Sequence, residues 1–423
     1  MPDHTSALVS ETNSDRVTTL RCGLPVACER VDGARSVSVS WMLPAGAAHD
    51  PEELCGISSV SSELIFRGAG QMDSRAMADA FDRIGALRSA ESSIRRLSVG
   101  ATTTGDRLGA LLGLLAEMVR RPRFEAASVG PAKALALQSL ASLQDDPQER
   151  AVLAARERHL PSPFNRSTYG DEAGINAITR ERALEWWHAH AVPGGSVLTI
   201  AGDVDRAEAV GLLDDLLGDW SGVRAEPSPG ADAVRGYAHE TEASNQVQIV
   251  VVQDGPAAGD PDADLERLAV SVLSGGMSGR LFTQVREVRG LCYAVHASYR
   301  ADRDRGVMSS YVGTTPERAQ ESLDVLFEQL GQINTGDVTV DEFRRAQIGI
   351  RSKLVFSGES TGARAATIAG DLVTLGRVRT LDERLGAIAS ITLDHLNAYL
   401  RRRNPGRATI QTLGPAPLTP PAG

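Results

Sequence analysis

Apolar positions along the chain recur with two periods, near 2 and near 3.6, and the places where the period changes divide the sequence into elements. Val17 to Val31 has the form of a hairpin about Gly23-Leu24-Pro25, and Ser36 to Leu43 alternates strictly before stopping at Pro44-Ala45-Gly46. Helical spacing predicts helices over 56–66, 74–85, 107–119, from Pro122 to about Leu143, 147–160, 180–190 and 206–220. Asp73 or Ser74 and the Asp146-Pro147 pair supply start signals for two of them. Strand signals fill Leu87 to Thr103, and Val197 to Gly202 reads as a short buried strand.

The most densely signalled stretch is Ser274 to Tyr293, SGGMSGRLFTQVREVRGLCY. Met277, Leu281 and Val285 stand at i, i+4 spacing, which predicts a helix burying one stripe, and Gly290 before Leu291 predicts a left-handed stop. Tyr293, Val295, Ala297 and Tyr299 then alternate onto one face of a strand. Arg286 on the last helical turn and Tyr293 at the strand start are thereby separated by one tight corner.

Val223 to Gly236 is rich in Pro, Gly and polar residues without a period, the mark of a linker. Beyond it the chain repeats itself: Gly100 to Val119 resembles Val312 to Leu330, and Ser36 to Asp50 resembles Asn245 to Asp260. An internal duplication follows, with each half an α+β unit of one sheet and several covering helices. The expected division is a disordered 1–16, a first domain over 17–222, a linker over 223–243, a second domain over 244–414 and a frayed Pro-rich tail over 415–423.

At 423 residues, 42% hydrophobic and 23% charged, the chain is long enough for two cores and ordinary for a globular protein. Its net charge of -10 argues against a nucleic-acid partner. Neither a secretory leader nor an apolar run long enough to span a bilayer is evident, so a cytoplasmic protein with no membrane partner is expected. The four cysteines, Cys22, Cys28, Cys55 and Cys292, form no CxxC pair and read as reduced thiols.

Four pieces of sequence together resemble the pitrilysin/insulinase (M16) metallopeptidases: the PAG-x-x-x-D turn at Pro44, AGDVD at Ala201, RLF-x-x-x-RE-x-x-GL-x-Y at Arg280, and two halves of this size. The similarity is to the short, processing-peptidase-like branch and runs from about Arg16 to Gly414. It implies two homologous domains, each a mainly antiparallel sheet covered by helices. It also implies a zinc site written His-x-x-Glu-His on a helix, completed by a later glutamate. Anchored on Phe66 and Gly68, the histidine positions of that motif hold Ser59 and Glu63, the general-base position holds Ser62, and the distal ligand falls at Ser139.

Serine hydroxyls are weak ligands for zinc, so no zinc is expected in this chain. Ser59, Ser61 and Ser62 lack the Gly-x-Ser-x-Gly setting of a nucleophile and read as small residues filling a vacated site. His188 and His190, two apart on a helix, diverge; His49, His159, His239, His296 and His395 have no ligand at metal spacing. The resemblance implies that Arg286 and Tyr293 are the pair that reaches toward the zinc site and, in paired chains, serves the partner. A guanidinium suits a peptide carbonyl and a phenol suits an oxyanion. Peptide substrate in this family lies along a sheet edge, here the strand carrying Ser89, Ala90 and Glu91. The expected function is therefore that of a non-catalytic subunit, paired with a homologous chain whose His-x-x-Glu-His motif is intact and which carries the zinc. The alternative is a purely structural or peptide-binding scaffold.

Overall fold

The computed structural model describes residues 16–230 and 233–421, which divide into two compact units. Residues 16–142, 162–230 and 357–379 form the first; residues 143–161, 233–356 and 380–421 form the second.

The first unit is built on a six-stranded sheet of β1 (Val17–Thr19), β2 (Pro25–Arg30), β3 (Ser36–Leu43), β4 (Leu87–Ser92), β5 (Leu97–Thr104) and β6 (Val197–Gly202), in the order β1-β2-β6-β3-β5-β4. Every pairing is antiparallel except β2 with β6. The second unit holds β7 (Gly236–Thr241), β8 (Val247–Gly255), β9 (Cys292–Ala301), β10 (Gly306–Thr314) and β11 (Thr409–Gly414), in the order β7-β11-β8-β10-β9, again with one parallel pair, β7 with β11. Without β1 the two orders coincide, parallel pair included, so the duplication read from sequence exists as topology.

The first eight helices are α1 (Ile57–Leu64), α2 (Ser74–Arg83), α3 (Leu108–Arg120), α4 (Ala126–Ser142), α5 (Pro147–His159), α6 (Glu172–Ala177), α7 (Arg180–His190) and α8 (Arg206–Leu217). They are followed by α9 (Ala263–Ser274), α10 (Ala319–Ile333), α11 (Val340–Gly358), α12 (Thr361–Leu375), α13 (Leu381–Ser390) and α14 (Leu393–Arg402). Start signals act as expected: the Asp73 carboxylate accepts from the Ala76 amide, and Asp146 accepts from Glu149 ahead of Pro147.

One face of the first sheet forms the main core, where Val37, Val39 and Trp41 meet Leu111, Leu115 and Leu213. The other face is closed by α12, whose Ala365, Ile368, Ala369 and Leu372 pack on Ala27, Val197 and Ala201. Polar contacts seat that helix: Ser38 Oγ lies 2.8 Å from Thr361 Oγ1 and 2.7 Å from Thr102 Oγ1, and Thr199 donates to the Ala365 carbonyl at 2.7 Å. In the second unit α5 plays the equivalent part, with Ala151 and Ala155 against Val250, Val252, Tyr311 and Leu413, and Arg150 paired with Glu240 and Glu242.

These two helices correct the expected domain boundaries. Periodicity locates α5 and α12, but it does not say which sheet each will cover, and residues 143–161 and 357–379 each join the unit that lies elsewhere along the chain. The linker is also shorter than 223–243. Arg224 donates its amide to the Gly194 carbonyl at 3.0 Å and Gly230 donates to that of Ser162 at 2.7 Å, while Gly236–Thr241 is β7, so both ends of the segment belong to the flanking units. The tail is anchored rather than frayed as far as Thr419. Leu418 packs on the second core and its amide donates to Tyr237 Oη at 2.6 Å, while the Thr419 amide donates to Gln320 at 2.8 Å. The disorder expected for 1–16 falls, apart from Arg16, outside the described residues.

The second core encloses an ion pair. Glu266 on α9 and Arg403 after α14 have side chains 0% and 4% exposed, joined by Nε to Oε2 at 2.7 Å and Nη2 to Oε1 at 2.6 Å, with Tyr399 donating to Oε2 at 2.6 Å. Removing one partner leaves a buried charge unpaired. Arg403→Ala is expected to lower the unfolding free energy of the second unit by about 3–5 kcal/mol in urea denaturation, whereas replacing both residues with apolar side chains costs less.

Candidate functional site

Helix α1 carries the residues at the expected zinc-motif positions. Its start is fixed by Gly56, left-handed at φ +101°, where a Cβ would come within 2.9 Å of Ile175. Asp50, 3% exposed, caps the turn by accepting from the Gly56 amide at 2.8 Å and from Ser58 Oγ at 3.1 Å. Ile57, Val60 and Leu64 are buried in the core, which orients the opposite side of the helix. There Ser62 Oγ donates to the Ser59 carbonyl at 2.7 Å, so its hydroxyl is spent within the helix, while Glu63 is exposed. Helix α4 packs against α1, and Ser139 on it is exposed.

This donor set does not fit zinc. It offers two hydroxyls, one already committed, an exposed third on α4, and a single carboxylate, where zinc sites require imidazole, thiolate or several carboxylates. Among the described residues no group of three or more His, Cys, Asp or Glu is arranged to hold a metal.

Beside this helix the structure assembles a cluster that sequence spacing does not reveal. His49, expected to lack a partner, stands 5.2 Å centroid to centroid from His190, whose ring stacks on Trp186 at 4.6 Å. His190 Nδ1 lies 2.6 Å from the Trp186 carbonyl oxygen, and the Nε2 atoms of both histidines are buried without a partner among the described residues. Burial holds His49 down at about 3, reinforced by His190 and the arginines Arg224, Arg96 and Arg166. Burial likewise holds His190 down at about 4 despite its backbone hydrogen bond. Burial pushes Asp50 up to about 7 against the hydrogen bonds it accepts from Gly56 and Ser58 and the Arg166 cation. His188 stays exposed on the same helix, as the divergence of the pair requires.

Strand β4 is an edge of its sheet, leaving backbone groups on one side without a strand partner. Ser89 and Glu91 are exposed on one face, whereas Ala90 alternates to the other and packs against the core. Ser89 and Glu91 border a groove of about 400 Å³ floored by Ser38, Ser40, Ser98 and Gly100 and walled by Gly362 and Ala366 of α12. Its floor is made of small polar side chains and glycine, which admits an extended chain beside the open edge.

The Ser274–Tyr293 stretch differs from expectation in two ways. Helix α9 ends at Ser274; a glycine-rich turn follows, then a π-helical segment, Phe282–Val288, in place of an α-helix. Leu281 and Val285 are buried, but Met277, in the turn, is 76% exposed. The stop is as expected: Gly290 has φ +60°, its amide donates to the Arg286 carbonyl at 3.0 Å and that of Leu291 to Val285 at 2.9 Å. The second difference is a β-bulge. Thr314 pairs with Cys292 and Gly313 with Ala294, so Tyr293 is the extra residue. Cys292, Val295, Ala297 and Tyr299 pack on the second core, but Tyr293 crosses to the opposite face, where it is 45% exposed and donates to Gln246 Oε1 at 2.9 Å.

Arg286 is exposed, with its guanidinium 4.9 Å from the centre of the Phe282 ring, and makes no ion pair among the described residues. It acts on the residue next to Tyr293: burial pushes the Cys292 thiol up to about 11, and the Arg286 cation opposes that rise. Arg286 and Tyr293 thus flank the corner at Gly290, Arg286 beside Phe282 and Tyr293 on the sheet face opposite Cys292. The partners that hold Tyr293 there, Gln246 and Tyr311, were not signalled by the sequence.

Family profiles match most of the chain: the insulinase (peptidase family M16) profile over residues 25–171 and the peptidase M16 inactive-domain profile over 177–350. The chain belongs to the M16 peptidase family. An uncharacterized zinc protease of Streptomyces coelicolor is 26% identical over 411 residues, covering 95% of this chain and 89% of that protein. A second, from Mycobacterium tuberculosis, is 26% identical over 425 residues, covering 98% and 96%. Among solved structures, a peptidase M16 inactive domain from Pseudomonas fluorescens superposes with a TM-score of 0.85 at 20% identity, covering 96% of this chain and 99% of that one. A protease from Helicobacter pylori gives 0.83 at 16% identity, with 95% and 99% covered. At these identities the likeness is one of fold.

The buried cluster sets a pH dependence. Between about pH 6.5 and 4 the unfolded chain protonates His49 and His190 while the folded chain does not, so stability falls as pH falls; Asp50, protonated when folded, acts in the opposite direction. Two histidines against one carboxyl leave a net loss of roughly 1.4 kcal/mol per pH unit on acidification. His190→Phe is expected to flatten that slope, as read from urea midpoints between pH 4.5 and 6.5.

Proposed function

We propose that this chain is the non-catalytic subunit of a two-chain M16-type peptidase. The observation that carries this reading is the contrast between its two halves. The helix at the zinc-motif positions holds Ser59, Ser62 and Glu63, a set whose chemistry does not fit zinc, whereas Arg286 and Tyr293, on either side of the Gly290 corner, are exposed and make no ion pair among the described residues. A guanidinium without a carboxylate partner among the described residues keeps its donors available for a peptide carbonyl, and a half-exposed phenol, which donates to Gln246 in the free chain, can turn its proton to an oxyanion developing at the scissile carbon. Both groups would act in the site of a homologous chain that holds the His-x-x-Glu-His motif and the zinc. The open β4 edge with its groove suits an extended peptide, adding affinity through backbone pairing.

The chain alone is expected to bind no stoichiometric zinc and to cleave no peptide, and to restore cleavage when mixed with a partner of that description. In the mixture, Arg286→Ala and Tyr293→Phe are each expected to lower kcat/KM by about a hundredfold, the size typical of losing one oxyanion donor. Unchanged kcat/KM for both variants would leave only the scaffold role.

A further inference from the structure

Tyr293 reaches its place by a construction that spans three strands. Its position in the bulge sends the ring over Gly313 of β10, toward Gln248 of β8, the residue paired with Gly313. Gly313 needs to be glycine for a reason unrelated to backbone conformation: a Cβ there would stand 2.6 Å from the hydroxyl oxygens of both Tyr293 and Tyr311. Behind the exposed phenol lies a continuous series of polar groups. Tyr293 donates to Gln246 Oε1 at 2.9 Å, Gln248 Nε2 approaches the same oxygen at 3.4 Å, and Tyr311 donates to Gln248 Oε1 at 2.6 Å. The inner end is fixed, with Gln248 1% and Tyr311 2% exposed and the Tyr311 ring 5.0 Å from that of His296. The outer end is not, because Gln246 is exposed.

We propose that Gln246, Gln248, Tyr311 and Gly313 are positioning residues for Tyr293, with the Gln246 amide setting the direction in which the phenol's proton points. The phenol has one proton. With the amide oxygen toward Tyr293, that proton is directed inward and the face presented to a docking chain is an acceptor. Turning the amide by half a rotation gives up the long 3.4 Å contact from Gln248 Nε2, presents the Gln246 NH2 to the phenol oxygen and frees the proton to point outward, without moving the ring. A donor aimed at a developing oxyanion requires the second arrangement, and Gln246 is the side chain that supplies it. Gly313 provides the space in which both phenols fit. This inference rests on the subunit reading above.

The test uses the full chain labelled with 3-fluorotyrosine, whose six tyrosines give six fluorine resonances, that of Tyr293 being identified by its loss in Tyr293→Phe. Gly313→Ala is expected to shift the Tyr293 and Tyr311 resonances together and leave the other four in place; a Tyr293 line that does not move overturns the positioning role. The second arm measures cleavage of a fluorogenic peptide by the complex with a His-x-x-Glu-His-bearing chain. Gln246→Glu keeps an acceptor beside the phenol but removes the donor, so kcat is expected to fall roughly tenfold, the worth of one hydrogen bond, with KM unchanged. If Tyr293→Phe lowers kcat and Gln246→Glu does not, the relay is wrong and the subunit reading stands. If neither lowers it, Tyr293 is not a donor to the reaction and the positioning role falls with it, the subunit reading then resting on the Arg286→Ala result.

Discussion

A sheet has two faces, and both must be covered or soluble; the architecture follows from how each sheet here meets that requirement. The first face of each is covered by helices forming the main core of its unit. The second face is covered by a single helix, α12 on the first sheet and α5 on the second. Small residues make this possible: Ala365 and Ala369 on α12, and Ala151 and Ala155 on α5, let helix backbones approach the strands closely enough for Thr199 to reach the Ala365 carbonyl. Between α12 and β4 a recess remains, with the buried Ser38 and Ser40 of β3 at its bottom and Ser98 and Gly100 of β5 toward the edge, and that recess is the groove. The candidate peptide site is thus the portion of a sheet face that one helix is too narrow to close.

The other candidate feature depends on parity. In a strand, odd and even positions face opposite sides, and a bulge exchanges them. Tyr293 would face the core beside Val295 if β9 were regular; the additional residue at the Gly313/Thr314 irregularity turns it to the other side and brings Cys292 to the core in its place. Arg286 is presented by a similar departure from regularity, a π-helical turn that brings the chain to Gly290 and the corner. Two local irregularities, each costly in an ordinary element, are found at the two residues that the functional reading needs.

Much of this was legible in the sequence. The strands and most helices follow from periodicity, with α7 and β6 found at the expected residues, and the duplication follows from self-similarity at an offset that places β3 on β8 and β5 on β10. The serines of α1 follow from the anchoring Phe66 and Gly68. What was not legible depends on contacts between distant residues. Nothing local says that α5 and α12 each cover the sheet of the other half, that His49 meets His190 on α7, or that Leu418 docks beside Tyr237. The bulge is a further case, since the alternation Tyr293, Val295, Ala297, Tyr299 is unbroken in the sequence and is broken only by pairing with β10.

The interleaving of the chain has a consequence for how it can be dissected. A break in the segment between Gly230 and Gly236 looks harmless on the sequence, but the fragment before it would carry α5 without the sheet that helix covers and lack the α12 that covers its own. Each fragment would have one bare apolar sheet face and one orphan helix, and each orphan fits the face left bare in the other. Separately produced halves would therefore be poor independent folding units, yet complementary ones, and fragment complementation rather than domain truncation is the natural way to take this protein apart.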